Sequence, residues 1–171
     1  MTRRLLLGIL TLCLSSSAIA QHDLGYFRDT FHSNNSKESL EKLIKTESEE
    51  FDPNNQNTIK AYKAVCESML ANYLSSPYSK LKAFNSGKGQ LEDAIKNNPV
   101  VEVRYLRLLL QLNVPKLLNY HANIDEDLEV VGQELKNQEL SIEERSLFKK
   151  TLLSSTTEEK YLSMINNINI D

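Results

Sequence analysis

Cysteine is nearly missing from this chain: among 171 residues only Cys13 and Cys66 carry thiols. Cys13 lies in an N-terminal apolar run, so a mature chain without that run would hold one thiol and no intrachain disulfide. That excludes an exported scaffold stapled by disulfides. Glycine and proline are also scarce, at five and four residues, and tryptophan is absent. With few runs of β-branched residues, this composition points to helices rather than strands. Beyond the N-terminal run, no segment approaches the roughly 20 apolar residues that a membrane-spanning helix needs. An excess of one charge is lacking too. Twenty basic and 23 acidic residues are spread along the chain, so neither nucleic acid nor an anionic membrane surface is expected as a partner.

The first twenty residues carry the clearest signal. Arg3 and Arg4 form a short basic start, and Leu5 to Leu14 is apolar except for Gly8 and Thr11. Ser15 to Ser17 follow, then Ala18-Ile19-Ala20, the small-x-small pattern of a signal-peptidase site. Residues 1–20 therefore read as a removed secretory signal, with Gln21 as the mature N-terminus. A lipid anchor at Cys13 is disfavoured, because Leu12 stands where lipoprotein signals carry a small residue. The expected product is periplasmic or secreted, with no membrane insertion after signal removal. Its 151 residues carry a formal charge of −5, two below the −3 of the full chain because Arg3 and Arg4 are lost. A chain of that size forms one domain that buries roughly 70% of its unfolded surface.

Residues 21–36 are mostly polar, with Tyr26, Phe27 and Phe31 as their large aromatic groups, and read as a loose arm or one short docked turn. The domain proper spans 37–170. Its first helix begins near Lys37 with Leu40, Leu43 and Ile44 as its stripe. Asp52-Pro53 supplies an N-cap and a proline suited to the first helical position. Ile59, Tyr62, Cys66, Met69 and Tyr73 then recur at helical spacing over roughly residues 54–75. Pro77 opens the next helix. Gly87 and Gly89 in its middle should each cost about 1 kcal/mol relative to alanine, so either the helix breaks there or a neighbouring backbone comes close. Val100 to Leu112 is apolar on nearly every side and is expected as the central element, stopped by Pro115. Asn123 with Glu126, Ser141 with Glu144, and Thr156 with Glu159 look like capping pairs for three further helices. About seven helices and no strand result, an all-α domain of antiparallel hairpins around residues 100–112.

The segment from Gly87 to Pro99 resembles the second helix of a tetratricopeptide repeat, with Gly87, Leu91, Ala94 and Pro99 in its four characteristic places. Leu74 and Tyr78 fall where the first helix of that repeat carries leucine and tyrosine, although Pro77 interrupts it. No second copy follows 34 residues later, and stable arrays usually need three. The larger block from Ser76 to Asp127, about a third of the chain, is similar to small exported helical proteins of Gram-negative bacteria whose function is uncharacterised. That resemblance implies a helical fold and an envelope location, and it carries no catalytic residues.

Arg104 and Arg107 are the foremost candidate site residues. With Gln111 they form a polar stripe at i, i+3 and i+7 on the most apolar helix, and a buried guanidinium needs partners. Either they bind an anion or peptide carboxylate through the planar arginine fork, or they pair with Glu92, Asp93, Glu102 or Asp127 to fix helix register. The second reading is favoured. Cys66 sits among Tyr62, Val65, Met69 and Leu70 and reads as an inert core thiol. His121 is a lone histidine, and His22 and His32 are too distant to complete a metal site. The acidic cluster of Asp125, Glu126, Asp127 and Glu129 lacks a calcium loop's spacing and suits the first turn of a helix. Gly87-Lys88-Gly89 is not a Walker loop, and no G-x-S-x-G motif occurs.

The expected function is accordingly a non-enzymatic interaction or scaffold module of the bacterial envelope. It has no cofactor and no metal, another envelope protein is its expected partner, and the oligomeric state is open. Its groove would be lined by Tyr73, Tyr78, Tyr105 and Arg104. The alternatives are a binder of a small anionic ligand at Arg104 and Arg107, and a hydrolase using Glu92 and Asp127.

Overall fold

A computed structural model describes residues 23–48, 50–137 and 140–170. The expected signal segment and its boundary at Gln21 lie outside these, as do Cys13 and His22. Among the described residues the chain is all-helical, with eight α-helices, two short 3-10 turns and no strand. The helices are α1 (Leu24–Ser33), α2 (Lys37–Lys45), α3 (Pro53–Leu70), α4 (Pro77–Asn97), α5 (Val101–Asn113), α6 (Ile124–Glu134), α7 (Ile142–Ser154) and α8 (Glu159–Asn166). None of them is long and apolar enough to cross a membrane.

The caps show why the helices start where they do. The Asp52 carboxylate accepts from the backbone N–H groups of Asn54 and Asn55 while Pro53 occupies the first turn of α3, so three orphan positions are dealt with at once. Ser141 and Glu144 form a reciprocal capping box on α7, as their spacing predicts. The other two expected pairs are different. Asn123 precedes α6 without a side-chain cap, because its amide oxygen accepts from Gln111 Nε2 at 3.4 Å instead. Thr156 Oγ1 accepts from the Glu158 N–H at 3.1 Å, forming a turn one residue short of the helix, so α8 starts uncapped by a side chain.

Helices α3 and α4 form the backbone of the fold as an antiparallel pair. Asn57 Nδ2 donates to the Ala94 carbonyl at 2.9 Å, and Ser68 Oγ donates to the Phe84 carbonyl at 3.3 Å. Gly87 makes their close approach possible. A Cβ at that position would sit 2.2 Å from the Ala64 carbonyl oxygen and 2.6 Å from the Ser68 nitrogen. Helix α4 runs unbroken through both glycines, so close approach, not a break, accounts for Gly87. Nothing lies within 4 Å of a Cβ built at Gly89.

Helix α5 is buried around nearly its whole circumference, as expected, with nine of its thirteen residues inside. It shares the centre with α3, which packs against α1, α2, α4 and α5. The polar arm is a correction. Residues 24–33 form the ten-residue helix α1, with Asp23 as its N-cap, and Phe27 and Phe31 enter the core at 0% and 4% exposure. Two aromatics four residues apart on one helical face anchor it, although the segment is polar on average.

The two glycines give opposite expectations. Gly87→Ala should lower unfolding free energy by about 1–3 kcal/mol or more, since backbone atoms of α3 must move. Gly89→Ala should raise it by about 1 kcal/mol. Urea unfolding followed by circular dichroism measures both.

Candidate functional site

Three features concentrate the chemistry of this molecule: two buried ionic clusters and one apolar cleft. The first cluster answers the question posed by the α5 stripe. Arg107 grips Asp127 bidentately, Nε to Oδ2 at 2.6 Å and Nη2 to Oδ1 at 2.7 Å, and Nη1 reaches Glu92 Oε2 at 3.3 Å. Arg104 Nη1 donates to Asp127 Oδ1 at 2.9 Å and to Glu126 Oε1 at 2.8 Å. The hydroxyl of Tyr120 donates to Glu92 Oε1. Asp127 is fully buried, and bidentate arginine pairing is what makes that tolerable. The stripe of Arg104, Arg107 and Gln111 is therefore a zip between α5 and α6, and it carries three carboxylates alongside its two cations. The Arg104 guanidinium holds the Glu126 carboxyl below its ordinary range.

The second cluster centres on Arg28, a residue whose role the sequence pattern does not disclose. Its Nε and Nη2 donate to Glu102 Oε1 and Oε2 at 2.8 and 2.7 Å, and Nη1 pairs with Glu144 of the α7 capping box. Tyr62 donates its hydroxyl to Glu102 Oε1 at 2.6 Å. Arg28 thus joins α1 to α5 and α7, while Tyr62 brings in α3. One turn further along α1, His32 Nδ1 lies 2.7 Å from the Arg28 carbonyl, and Nε2 lies 2.9 Å from the Tyr105 hydroxyl. A carbonyl only accepts, so Nδ1 carries the proton and the neutral ring accepts the Tyr105 hydroxyl at Nε2. Tyr105 stacks on Phe148 with ring centroids 4.1 Å apart. Burial lowers the His32 pKa, against an opposing contribution from the Arg28 carbonyl. A signal for α1 is present in the sequence: Phe27/Phe31 and Arg28/His32 are adjacent stripes, each at i, i+4.

The third feature is a cleft of about 740 Å³. Its floor is Phe31, Val65, Phe84, Leu109 and Leu110, all buried. Its walls come from the turn after α3, the start of α4, the 3-10 turn at Lys116–Leu118 and the end of α7. The polar side chains along it are largely spent on nearby backbone. Thr151, Ser154 and Asn113 each donate to a carbonyl of their own helix at 2.8 Å. The remaining surface is mostly apolar. Leu117, 86% exposed, and Leu81, 48% exposed, stand at its rim. A shallower hollow of about 540 Å³ between α6 and α8 is open to solvent and bordered by Asp125, Glu126 and Glu129.

The other predicted residues do not converge. Tyr73, Tyr78, Tyr105 and Arg104 do not line one groove. Tyr105 is fully buried in the α1–α5–α7 stack, Tyr78 is 76% exposed on α4, and Arg104 belongs to the α5–α6 zip. Tyr73, expected on the inner stripe of α3, instead turns outward and donates its hydroxyl to the Asn35 carbonyl at 2.7 Å. Cys66 is buried, and burial pushes its thiol pKa up to about 12. That is opposite to the activation a nucleophile requires. His121 Nε2 donates to the Val114 carbonyl at 3.1 Å and pins a turn. Gly87-Lys88-Gly89 lies inside a helix, where no loop cradles a phosphate. Among the described residues no group of three or more histidine, cysteine and carboxylate side chains is placed to hold a metal.

Two measurements probe the clusters. Arg107→Met should cost about 3–5 kcal/mol, because it strips the buried Asp127 carboxylate of its bidentate partner and leaves Oδ2 unpaired, with only Arg104 on Oδ1, and chemical denaturation reads the loss directly. His32 is depressed in the folded state, so the unfolded chain binds the extra proton as pH drops. Its contribution is complete above about pH 6.5 and lost as pH falls through the folded value. The unfolding midpoint should therefore decline as pH falls below about 6.5, with a shallower slope in His32→Phe.

Comparison of the chain with protein-family models, with curated proteins and with solved structures returns no match.

Proposed function

We propose that this chain is an exported, non-enzymatic binding module of the bacterial envelope that works through the apolar cleft. The observation carrying this reading is the cleft itself. Its volume falls in the range of sites that enclose small guests, and its floor is built from core side chains of α1, α3, α4 and α5. Exposed leucines, Leu81 and Leu117, stand at its mouth. Exposed apolar side chains around a cleft are a feature of interaction sites. The α3–α4 hairpin, with a glycine at its crossing and a proline after its second helix, supports describing the architecture as TPR-like. Another envelope protein would be the partner that delivers or receives the guest.

The geometry of the charged residues supports a non-catalytic role. Glu92 and Asp127 do not face each other across open space; Arg107 bridges them, and Asp127 is inaccessible. The alternative of an anionic ligand held by Arg104 and Arg107 has less support. An incoming anion would displace Asp127 from a bidentate pair and meet Glu126 and Glu92 beside it.

The uncharged dye N-phenyl-1-naphthylamine tests the cleft without involving charge. Its fluorescence should rise on binding to the purified protein. The rise should weaken at least about fivefold in Leu117→Glu and in Ala71→Trp, which puts an indole into the wall; a buried leucine-sized contact is large enough for that loss. Unchanged dye binding in both folded variants would remove the cleft as the working surface.

A further inference from the structure

The cleft has a chemical polarity that narrows its guest. Although the chain contains 23 acidic residues, none of those described lines the cleft, and among the described residues the only charged side chain that does is Lys80. Lys80 lies in the first turns of α4, is exposed, and has the amides of Asn35 and Asn72 among the other exposed polar residues of the lining. Ser68, Thr151, Ser154 and Ser155 all direct their hydroxyl protons to backbone carbonyls, so these hydroxyls have no donor left to offer a guest. A guest placed there must bring few polar groups into the interior and can place one negative group at the rim.

An extended peptide fits this poorly. Each of its residues carries an N–H and a C=O that need partners once buried, and peptide grooves supply them along the strand. A hydrocarbon chain makes no such demand, and its burial is driven by apolar area alone.

We infer that the cleft binds a free long-chain carboxylate, with the alkyl chain against Phe31, Val65, Phe84, Leu109 and Leu110 and the carboxylate at Lys80. This rests on the cleft being the binding surface and adds the class of guest. The cation at the rim sets head-group preference, and the apolar floor sets affinity. Lengthening the chain should strengthen binding until the cleft is filled.

The absence of tryptophan makes a direct test available. Leu117→Trp, at a position 86% exposed, places a single indole at the mouth of the cleft in protein recovered from cells expressing the full chain. Laurate, dodecanol and dodecyltrimethylammonium each carry one twelve-carbon chain, the twelfth carbon in laurate being the carboxyl, and differ in head; each is titrated below its micelle concentration. Laurate should shift the indole emission to the blue and bind about two- to fivefold more tightly than dodecanol, the scale of one exposed ion pair. The ammonium should bind more weakly than either. Adding Lys80→Glu to the reporter should reverse the order of laurate and ammonium, with an unchanged circular dichroism spectrum as the check on folding.

Equal binding of all three heads, or an order that Lys80→Glu leaves intact, would overturn the carboxylate assignment while leaving an apolar cleft in place. The assignment fails equally if an amphipathic helical peptide binds and no alkyl probe does, or if anionic phospholipid vesicles bind and free laurate does not. If no alkyl probe, peptide or naphthylamine dye engages the cleft, this inference and the proposed binding role fall together.

Discussion

The structure depends on buried charge being matched inside the helical core. Helix α5 is the most apolar helix by pattern, yet it carries Glu102, Arg104 and Arg107 into or beside the interior. Two of them are locked in bidentate pairs, Glu102 with Arg28 and Arg107 with Asp127. Buried ions are costly to desolvate, and only close, multiply bonded partners offset that cost. The two pairs face different directions from α5. One ties it to α6, the other to α1 and α7, so the electrostatic requirement of a single helix dictates where three others must sit. Hydrophobic contacts alone would tolerate sliding, because they are non-directional. The paired charges remove that freedom.

Much of this is legible in the sequence, and the boundary of legibility has physical causes. Asp52-Pro53 and Ser141 with Glu144 act locally, within one turn, so their spacing is sufficient. Asn123 and Thr156 have the same local form and a different outcome. The amide of Asn123 is claimed by Gln111, twelve residues away in sequence and adjacent in space. No local rule contains that competition. The α5 stripe announces that Arg104 and Arg107 need anions, and Asp127 and Glu92 are among the expected partners. Geometry then has to select Glu126 and exclude Asp93 and Glu102. Helix α1 is hidden for another reason. Its mean hydropathy is low, and its two phenylalanines are decisive because of where they point rather than how many they are. The cleft is beyond sequence reading altogether, since its floor and walls draw on elements spread from α1 to α7.

The positions of the tyrosines show the same limit. The sequence pattern places Tyr62, Tyr73 and Tyr105 on apolar helix faces and Tyr78 at a repeat-like position. In the fold, Tyr62 and Tyr105 become buried hydrogen-bond donors to Glu102 and His32, while Tyr73 and Tyr78 remain at the surface. What separates them is where the hydroxyl finds its partner: Tyr62 and Tyr105 bond inside the α1–α3–α5 network, whereas Tyr73 bonds the Asn35 carbonyl at the surface. The apolar cleft is bounded in part by Asn113, Thr151 and Ser154, whose polar groups turn back on their own helices.

Helix α1 also orders events in time. The partners of Arg28 lie 74 and 116 residues further along the chain, in α5 and α7. Among the described residues α1 is the first helix in the chain, yet its pair with Glu144 and part of its aromatic stack cannot form until α7 has been made. Before then Phe27 and Phe31 can already pack on α2 and α3, whereas the Arg28–Glu144 pair and the stack on Phe148 have to wait for α7. Closure at such sequence separation is slow compared with local helix formation. The contacts that tie the start of the fold to its end are therefore the ones that only a chain complete through α7 can make.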